Sequence, residues 1–422
     1  MLKQLRPVAA LTGATLFTAS LSPTSSSPSS PPAQCAWGSF PSADPKADPL
    51  DDYPYFSPWH RSAMRRNMTP DIYAKLLPLK TSTGYTINDL IQCGCSTGYT
   101  LPRNMGVMTG DPECYTVFAP LLNPIIRDYH DFSESSQHVT DLDPTHLKKL
   151  NQQDLDPKKK YILSSRIRVS RSIEGIPFPA AASRSQMRRV ESLTERACQY
   201  LSGTLSGMYV HLNDMTNEEN DDLIQRHILF DNPDEWATQA GLGRNWPDAR
   251  GVYMNVHDVD ANPDFIVWIN EEDHLRIMVL QKGGNIFHVF EQLVAGVNEI
   301  ERGLNKQGAK FLHDDRLGFV TGCPTNLGTG MRASMHVKLI HLGSKPGFKD
   351  MCKRMGLEVR GKHGERDNRN SGIFDISNRH RLGYSEVELI QLVMDGVRTL
   401  IELEQKLEKG EDADCSKMFN AV

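Results

Sequence analysis

Apolar residues return every third or fourth position over Arg184–Leu201 and again over Ile286–Leu304, which predicts two helices that each bury one face. The same period marks Leu389, Leu392, Val393, Val397, Leu400 and Leu403. That last helix opens on a capping box, Ser385 and Glu388, and stops near Gly410. Tyr161–Ser172 has a period of two instead. Arg166 and Arg168 fall on one face, Ile167 and Val169 on the other, so the segment reads as a strand that turns arginines towards a cleft. Further strands are expected at Phe265–Ile269, Leu317–Thr321 and Met335–Ile340. From about Met68 to His130 the pattern is one of short helices between Gly- and Pro-bearing turns, at Thr69–Leu76, Asn88–Ile91 and Tyr115–Tyr129. The loop Cys93–Asp111 among them is polar and aperiodic and reads as mobile. The organisation is therefore a small helical domain (44–140), a charged linker (141–160), a larger mixed domain (161–412) and a tail (413–422).

Composition narrows the class. The 422 residues carry 47 Lys and Arg against 52 Asp and Glu, a formal net charge of −5, and 39% of them are hydrophobic; neither a nucleic-acid binder nor a disordered chain fits. The 8 cysteines are scattered, with no paired CxxC sites, which points to a reducing compartment. No acid occurs before Asp44, while Lys3 and Arg6 precede an apolar, small-residue stretch from Val8 to Leu21 and then a Ser/Thr/Pro-rich run. Residues 1–43 are read as a targeting peptide and linker, with a mitochondrial transit peptide and a secretory signal both compatible with that composition. No other apolar run reaches about 18 residues, so no transmembrane span is expected.

Common phosphate-binding signatures are absent: no GxxxxGK[ST], no strand–GxGxxG–helix unit, no HRD/DFG pair. The chain offers arginine instead. Arg166, Arg168, Arg276, Arg332 and Arg360 stand beside Gly, Ser or a strand pattern. A surface role would serve for any one of them, but five together suit a polyphosphate, because guanidinium groups grip phosphate oxygens in pairs and neutralise charge during transfer. Phe265-Ile-Val-Trp-Ile-Asn-Glu-Glu-Asp-His-Leu-Arg276 runs from a buried strand straight into three acids. Carboxylates crowded there are costly unless they bind a cation or move a proton. If the strand continues, Glu271 and Glu272 face opposite ways and only one enters the cleft. In Cys323-Pro-Thr-Asn-Leu-Gly-Thr-Gly-Met-Arg332, a cysteine at a strand end meets a glycine-bearing turn whose N–H dipoles can stabilise a thiolate; inert packing is the alternative.

That last run resembles the signature of the phosphagen (guanidino) kinases. Ser164-Ser-Arg-Ile-Arg168, Asn270-Glu-Glu-Asp-His-Leu-Arg276, Arg360-Gly and Gly372-Ile-Phe-Asp-Ile-Ser-Asn378 support it, over roughly Tyr53 to Gly410. The resemblance implies an α+β protein, a small all-helical N-terminal domain followed by a larger one with an antiparallel sheet flanked by helices. It implies reversible phosphoryl transfer between MgATP and a guanidino compound, with ATP or ADP as partner and Mg²⁺ held mainly by phosphates and water. By position, Ser164, Arg166, Arg168, His227, Arg276, Arg332, His336, Arg360 and Asp375 would bind the nucleotide. Glu272 would orient and help deprotonate the guanidinium, the Cys323 thiolate would lie near its nitrogens, and Glu365 would be a second catalytic carboxylate.

The wording around Tyr384-Ser-Glu-Val-Glu-Leu and the N-terminal extension are similar to mitochondrial creatine kinases, but three local features are arginine kinase-like. Glu365 stands where creatine kinases pack the creatine N-methyl group with a valine, Tyr129 stands where they carry Arg, and Cys-Pro-Thr-Asn with Met331-Arg-Ala-Ser334 and His313-Asp-Asp-Arg316 follow the arginine kinase choice. A second carboxylate suits an unmethylated guanidinium; membership of a solvated lid is the plainer reading of Glu365. The loop Cys93–Asp111 is close to creatine kinase length and presents Met105, which keeps taurocyamine, lombricine and creatine open beside arginine. An inactive scaffold would have lost a phosphate arginine, Glu272 or Cys323, and none is lost. Ala309 replaces the interface Trp of octameric mitochondrial creatine kinases, so a homodimer is expected rather than an octamer. A reduced Cys323 favours the mitochondrion over secretion, with the cytoplasm as alternative.

Overall fold

The alternating segment after Lys160 forms strand β1, Ile162–Arg171, the centre of the sheet. The structure is a computed structural model that describes residues 53–56, 60–97, 105–258, 262–361 and 372–411; these belong to one unit, Pro45–Val422. The other strands are β2 (Met208–His211), β3 (Gly251–Met254), β4 (Phe265–Ile269), β5 (Leu275–Lys282), β6 (His313–Asp314), β7 (Gly318–Phe319), β8 (Met331–Lys338), β9 (Leu357–Gly361) and β10 (Ile373–Asn378). Among the described residues eight of them make one sheet in the order β2-β3-β4-β5-β1-β8-β10-β9, with every neighbouring pair antiparallel. β6 and β7 form a separate short hairpin.

The first part of the chain is helical: α1 (Ala63–Asn67), α2 (Pro70–Leu76), α3 (Ile87–Thr97), α4 (Cys114–Val117) and α5 (Ala119–His130). Then come α6 (Arg184–Cys198), α7 (Asn217–Gln225), α8 (Glu235–Gln239), α9 (Ile286–Asn305), α10 (Phe348–Arg354) and α11 (Glu386–Glu408). The capping box of α11 is present, the Glu388 N–H donating to Ser385 Oγ at 3.3 Å and the Ser385 N–H to the Glu388 carboxylate at 2.8 Å. Helices α9 and α11 pack against β1, β5, β8 and β10. Burial follows the pleat: Ile167 and Val169 are fully covered in that layer, whereas Arg166 and Arg168, on the opposite face, are only half-buried. The α+β class and the antiparallel sheet agree with expectation.

The helical segment does not close a core by itself. Its buried side chains, among them Tyr73, Leu90 and Leu121, share one cluster with Phe178, Val320, Cys323, Leu327 and Leu382 from the later part of the chain. Two sequence expectations change here. Cys93–Asp111 is not a polar loop throughout: Cys93–Thr97 continue α3, and Met105–Asp111 are buried, with the Met105 carbonyl accepting from Met64 N–H at 2.8 Å. Residues 98–104 lie outside the described set. Of the expected strand Leu317–Thr321 only Gly318–Phe319 pairs, because the Leu317 and Val320 side chains serve the shared core and not a sheet face. Among the described residues no helix is long and apolar enough to cross a membrane.

Candidate active site

Strand register collects the candidate residues on one face of the sheet. Residues two apart on β1 point the same way, and their cross-strand partners do too. Ser164 pairs with His336 on β8, His336 with Asp375 on β10, and Asp375 with Arg360 on β9, one row across four strands. Ser164 Oγ and His336 Nδ1 are 3.0 Å apart. Two pleat repeats along, Arg168 pairs with Arg332, and beyond it Ser170 pairs with Arg276, whose other neighbour is Trp268 on β4. Seven candidates from five strands thus share a surface without any loop having to deliver them.

The acidic segment behaves differently from its sequence reading. β4 ends at Ile269, and Asn270 adopts a left-handed conformation (φ 56°) held by its side-chain amide, which donates to the Met187 and Ala249 carbonyls at 2.9 and 2.7 Å. The alternation is broken there, so Glu271 and Glu272 do not face opposite ways. Both line the cleft, and Arg276 bridges them at 2.7 and 2.9 Å, with Asp273 at 3.3 Å. Burial opposes the charge on Arg276, but these three carboxylates outweigh it and hold the guanidinium above its ordinary pKa. Burial raises Glu271 and Asp273, against the pull of Arg276.

A cavity of about 470 Å³ opens over this face, lined by Arg166, Arg168, Arg276, Glu271, Glu272, His227 and the rings of Trp236, Trp246, Trp268 and Phe230. The volume suits a small organic ligand, and cations at its floor with aromatic walls suit one that is both anionic and flat. Arg166 lies over the Trp268 ring at 5.9 Å. Burial first, then the Arg332 charge, depress Arg166 to about 10, and burial first, then Arg276, Arg166 and Arg332, depress Arg168 as well. Guanidinium groups stay protonated, so like charges gathered at one place favour an anion between them. Asp375 pairs with Arg332 at 2.7 Å and also eases Arg166; burial alone would raise this carboxyl, but Arg332 holds it below the usual range.

Cys323 heads a short turn, Pro324–Asn326, at the edge of this arrangement. Its sulfur is 3.1 Å from Thr325 Oγ1, and Asn326 Nδ2 donates to Glu272 Oε1 at 3.2 Å, tying the turn to the acids. Burial first, then Glu272, push the thiol up to about 12, against the Thr325 hydroxyl and N–H. The Thr325 hydroxyl and N–H thus oppose the rise of the thiol without cancelling it. α5 clamps the same turn from the helical side: His130 Nε2 is 2.8 Å from the Pro324 carbonyl. Tyr129, the residue before it, is half-buried beside the shared core. Met105 is buried in that core with Cys323. Glu365 lies outside the described residues.

Residues 58–127 match the family model "ATP:guanido phosphotransferase, N-terminal domain", and residues 189–407 match "ATP:guanido phosphotransferase, C-terminal catalytic domain". Creatine kinase M-type of Oryctolagus cuniculus is 43% identical over 367 residues, 86% of this chain and 94% of that one. The chain belongs to the ATP:guanido phosphotransferase family. Creatine kinase B-type of Gallus gallus is 42% identical over 367 residues, again 86% and 94% of the two chains. Among solved structures, a lombricine kinase matches with a TM-score of 0.76 and 39% identity over 84% of this chain and 95% of that one. The substrate-free duplicated taurocyamine kinase from Schistosoma mansoni matches at 0.75 and 33%, over 84% and 48%. As a phosphagen kinase, this chain is a guanidino phosphotransferase that uses ATP. Two residues that hydrogen bonds tie to Glu272, Asn326 directly and Arg381 through Asn326, were not singled out from the sequence. Asn326 was visible only as part of a motif, and Arg381, three residues past Asn378, carried no local pattern that separates it from its basic neighbours Arg379 and His380.

Proposed function

We propose that this chain transfers the γ-phosphoryl group of MgATP to L-arginine, reversibly, as an arginine kinase on a creatine kinase-like scaffold. The observation that carries the general chemistry is the meeting of Arg166, Arg168 and Arg276 with Glu271 and Glu272 in one cavity. Phosphoryl transfer asks for alignment and charge neutralisation more than covalent help. In this reading the arginines on β1, β5, β8 and β9 take the phosphate oxygens, His227 and His336 lie by base and ribose, and magnesium arrives with the nucleotide, held by phosphates and water. Glu272 orients the guanidinium and accepts its proton as the nitrogen attacks the γ-phosphorus in line, while the bond from that phosphorus to the β–γ bridging oxygen breaks and ADP leaves. A guanidinium cation beside Cys323 brings positive charge to the sulfur and so lowers the thiol.

Arginine in particular is supported by Glu365 and Tyr129, both departures from the creatine kinase pattern. Names among the relatives favour a second reading, lombricine, taurocyamine or creatine as the acceptor, and the buried Met105 belongs to whichever is correct. A coupled ADP-release assay with arginine, creatine, taurocyamine, glycocyamine and lombricine at equal concentration decides between them. A clear preference for creatine would sink the argument from Glu365. We further propose that residues 1–43 direct the chain to mitochondria and that it works as a homodimer. Fusion of residues 1–43 to a fluorescent reporter, and light scattering of the purified enzyme, test these points separately.

A further inference from the structure

Arg381 is buried beside the reacting groups, yet it makes no bond to the carboxylates of the cavity. Its Nη1 donates to the Thr325 carbonyl at 2.5 Å and to Asn326 Oδ1 at 2.6 Å. Because a guanidinium can only donate, those bonds fix which end of the Asn326 amide is oxygen and send Nδ2 the other way. Nδ2 then donates to Glu272 Oε1 and to Asp273 Oδ2, each at 3.2 Å. Glu272 Oε2 is taken on its far side by Arg276 at 2.9 Å. The carboxylate is thus gripped at both oxygens, by Arg276 directly and by Arg381 at one remove. Arg381 is itself fixed, since its carbonyl accepts from Thr329 N–H and Thr329 Oγ1, both at 3.0 Å.

We propose that Arg381 is a positioning residue for the Glu272 carboxylate, acting through the Asn326 amide and not on the phosphates. Without it the amide is free to turn over and present its oxygen to Glu272, a repulsion in place of a bond. The contact places a side chain from beyond β10 in control of an acid on the β4–β5 turn, and the hydrogen bonds of its guanidinium go to Thr325 and Asn326 and not to the nucleotide-facing row of the sheet. The proposal rests on the reading of Glu272 as the group that orients and deprotonates the guanidinium.

A double-mutant cycle on the full-length enzyme tests it. Arg381→Met should lower kcat by about tenfold or more, the scale of a misplaced catalytic group, with KM for MgATP changed by less than about twofold. Asn326→Ala should do the same, and adding Arg381→Met to it should cost less than about twofold further, because the relay is already cut. Arg381→Lys, which keeps a donor, should recover part of the loss. If Arg381→Met does not fold by circular dichroism, Arg381→Lys takes its place in the cycle. Multiplicative losses, or a raised MgATP KM at unchanged kcat, would overturn the relay. Glu272→Gln assayed alongside separates the two ideas: full activity there removes the role given to Glu272, whereas low activity there with multiplicative losses in the cycle removes only the relay.

Discussion

Arg168 and Arg332 stand directly opposite one another on adjacent antiparallel strands, a like-charged cross-strand pair in which Arg332 is buried and Arg168 half-buried. Asp375 answers Arg332 at 2.7 Å, while among the described residues Arg168 has no carboxylate of its own. Such a pair costs roughly 0.2–1 kcal/mol, so the empty enzyme holds it at a loss that a polyphosphate removes. Arg168→Met should therefore raise the melting temperature of the nucleotide-free enzyme by about 1–3 °C and lower turnover by about 10²–10³-fold. It should also abolish most of the stabilisation that MgADP confers on the parent. Thermal melts with and without MgADP check both halves; a variant less stable when empty, with the MgADP shift intact, contradicts the argument.

Glu272 shares Arg276 with Glu271 and Asp273, so its charge is not the only one that compensates the buried guanidinium. Glu272→Gln keeps the shape and an acceptor and leaves Arg276 with two carboxylates. Stability should change by less than about 1 kcal/mol, while turnover falls by about 10²–10⁴-fold, the usual worth of a general base. Urea unfolding together with steady-state kinetics tests the contrast, and a variant that loses stability and activity in proportion would place Glu272 in the scaffold instead.

Much of this site was legible before the fold was known, and the reason is periodicity. Arg166 and Arg168 announce a strand face by their spacing, and register then delivers Arg332, His336, Asp375 and Arg360 to the same surface. What periodicity cannot carry is a single residue that breaks it. Asn270, at φ 56°, turns Glu271 back into the cleft beside Glu272, and nothing in the apolar pattern marks that reversal. The stretch Met105–Asp111 misled for a related cause. Its burial comes from contact with Gly322 and the shared core, the Thr109 N–H and Oγ1 both reaching the Gly322 carbonyl at 2.9 Å, and long-range contacts of that kind leave no local trace. Arg381 went unseen because its bonds, to the Thr325 carbonyl and Asn326 Oδ1, reach more than fifty residues back along the chain.

The hydroxyl of Thr325 stands 3.1 Å from the Cys323 sulfur and eases a thiol that burial and Glu272 push up to about 12. Thr325→Val removes that donor at constant volume. The thiol should then move higher still, and iodoacetamide should alkylate Cys323 several-fold more slowly at a given alkaline pH, since only the thiolate reacts. Rate–pH profiles for parent and variant, with Cys323→Ala as the blank, measure it. Equal profiles would mean that the hydroxyl donates elsewhere.

Two histidines tie the fold to pH. His274 is fully buried and accepts from the Ile173 N–H at Nδ1 (3.0 Å) while Nε2 faces the Pro177 carbonyl (2.9 Å), an arrangement that needs the neutral ring. Burial lowers it to about 4 and lowers His130 to about 3. Both therefore stay neutral in the fold at pH values where the unfolded chain, with ordinary values near 6.5, takes up protons. Their contribution is complete above about pH 6.5 and is lost progressively as pH falls below it. Stability should drop by roughly 2–3 kcal/mol between pH 7.5 and 5.5 for the two together. Urea melts across that range would show it, and His274→Gln should flatten the slope; an unchanged midpoint from pH 7.5 to 5.5 would refute it.

Arg171 and Glu386 form an ion pair with no exposure at either side chain, 3.9 Å apart, where β1 ends and α11 begins. The guanidinium also lies over the Phe319 ring at 3.5 Å and donates to the Ser170 and Thr329 carbonyls at 2.8 Å each. Glu386 in turn accepts the Asp141 N–H at 3.0 Å. Burial presses both charges towards neutrality, lowering Arg171 to about 10 and raising Glu386, so each depends on the other. Removing one partner strands a buried charge. Glu386→Leu should cost about 3–5 kcal/mol, more than Arg171→Met/Glu386→Leu together, because the double change leaves no charge uncompensated. Arg171 also holds the Thr329 carbonyl just ahead of Arg332, so the double variant should recover stability but not full turnover. Urea unfolding and kcat measured on the same three preparations decide the matter, and a double variant less stable than either single one would show that the pair stabilises the fold outright.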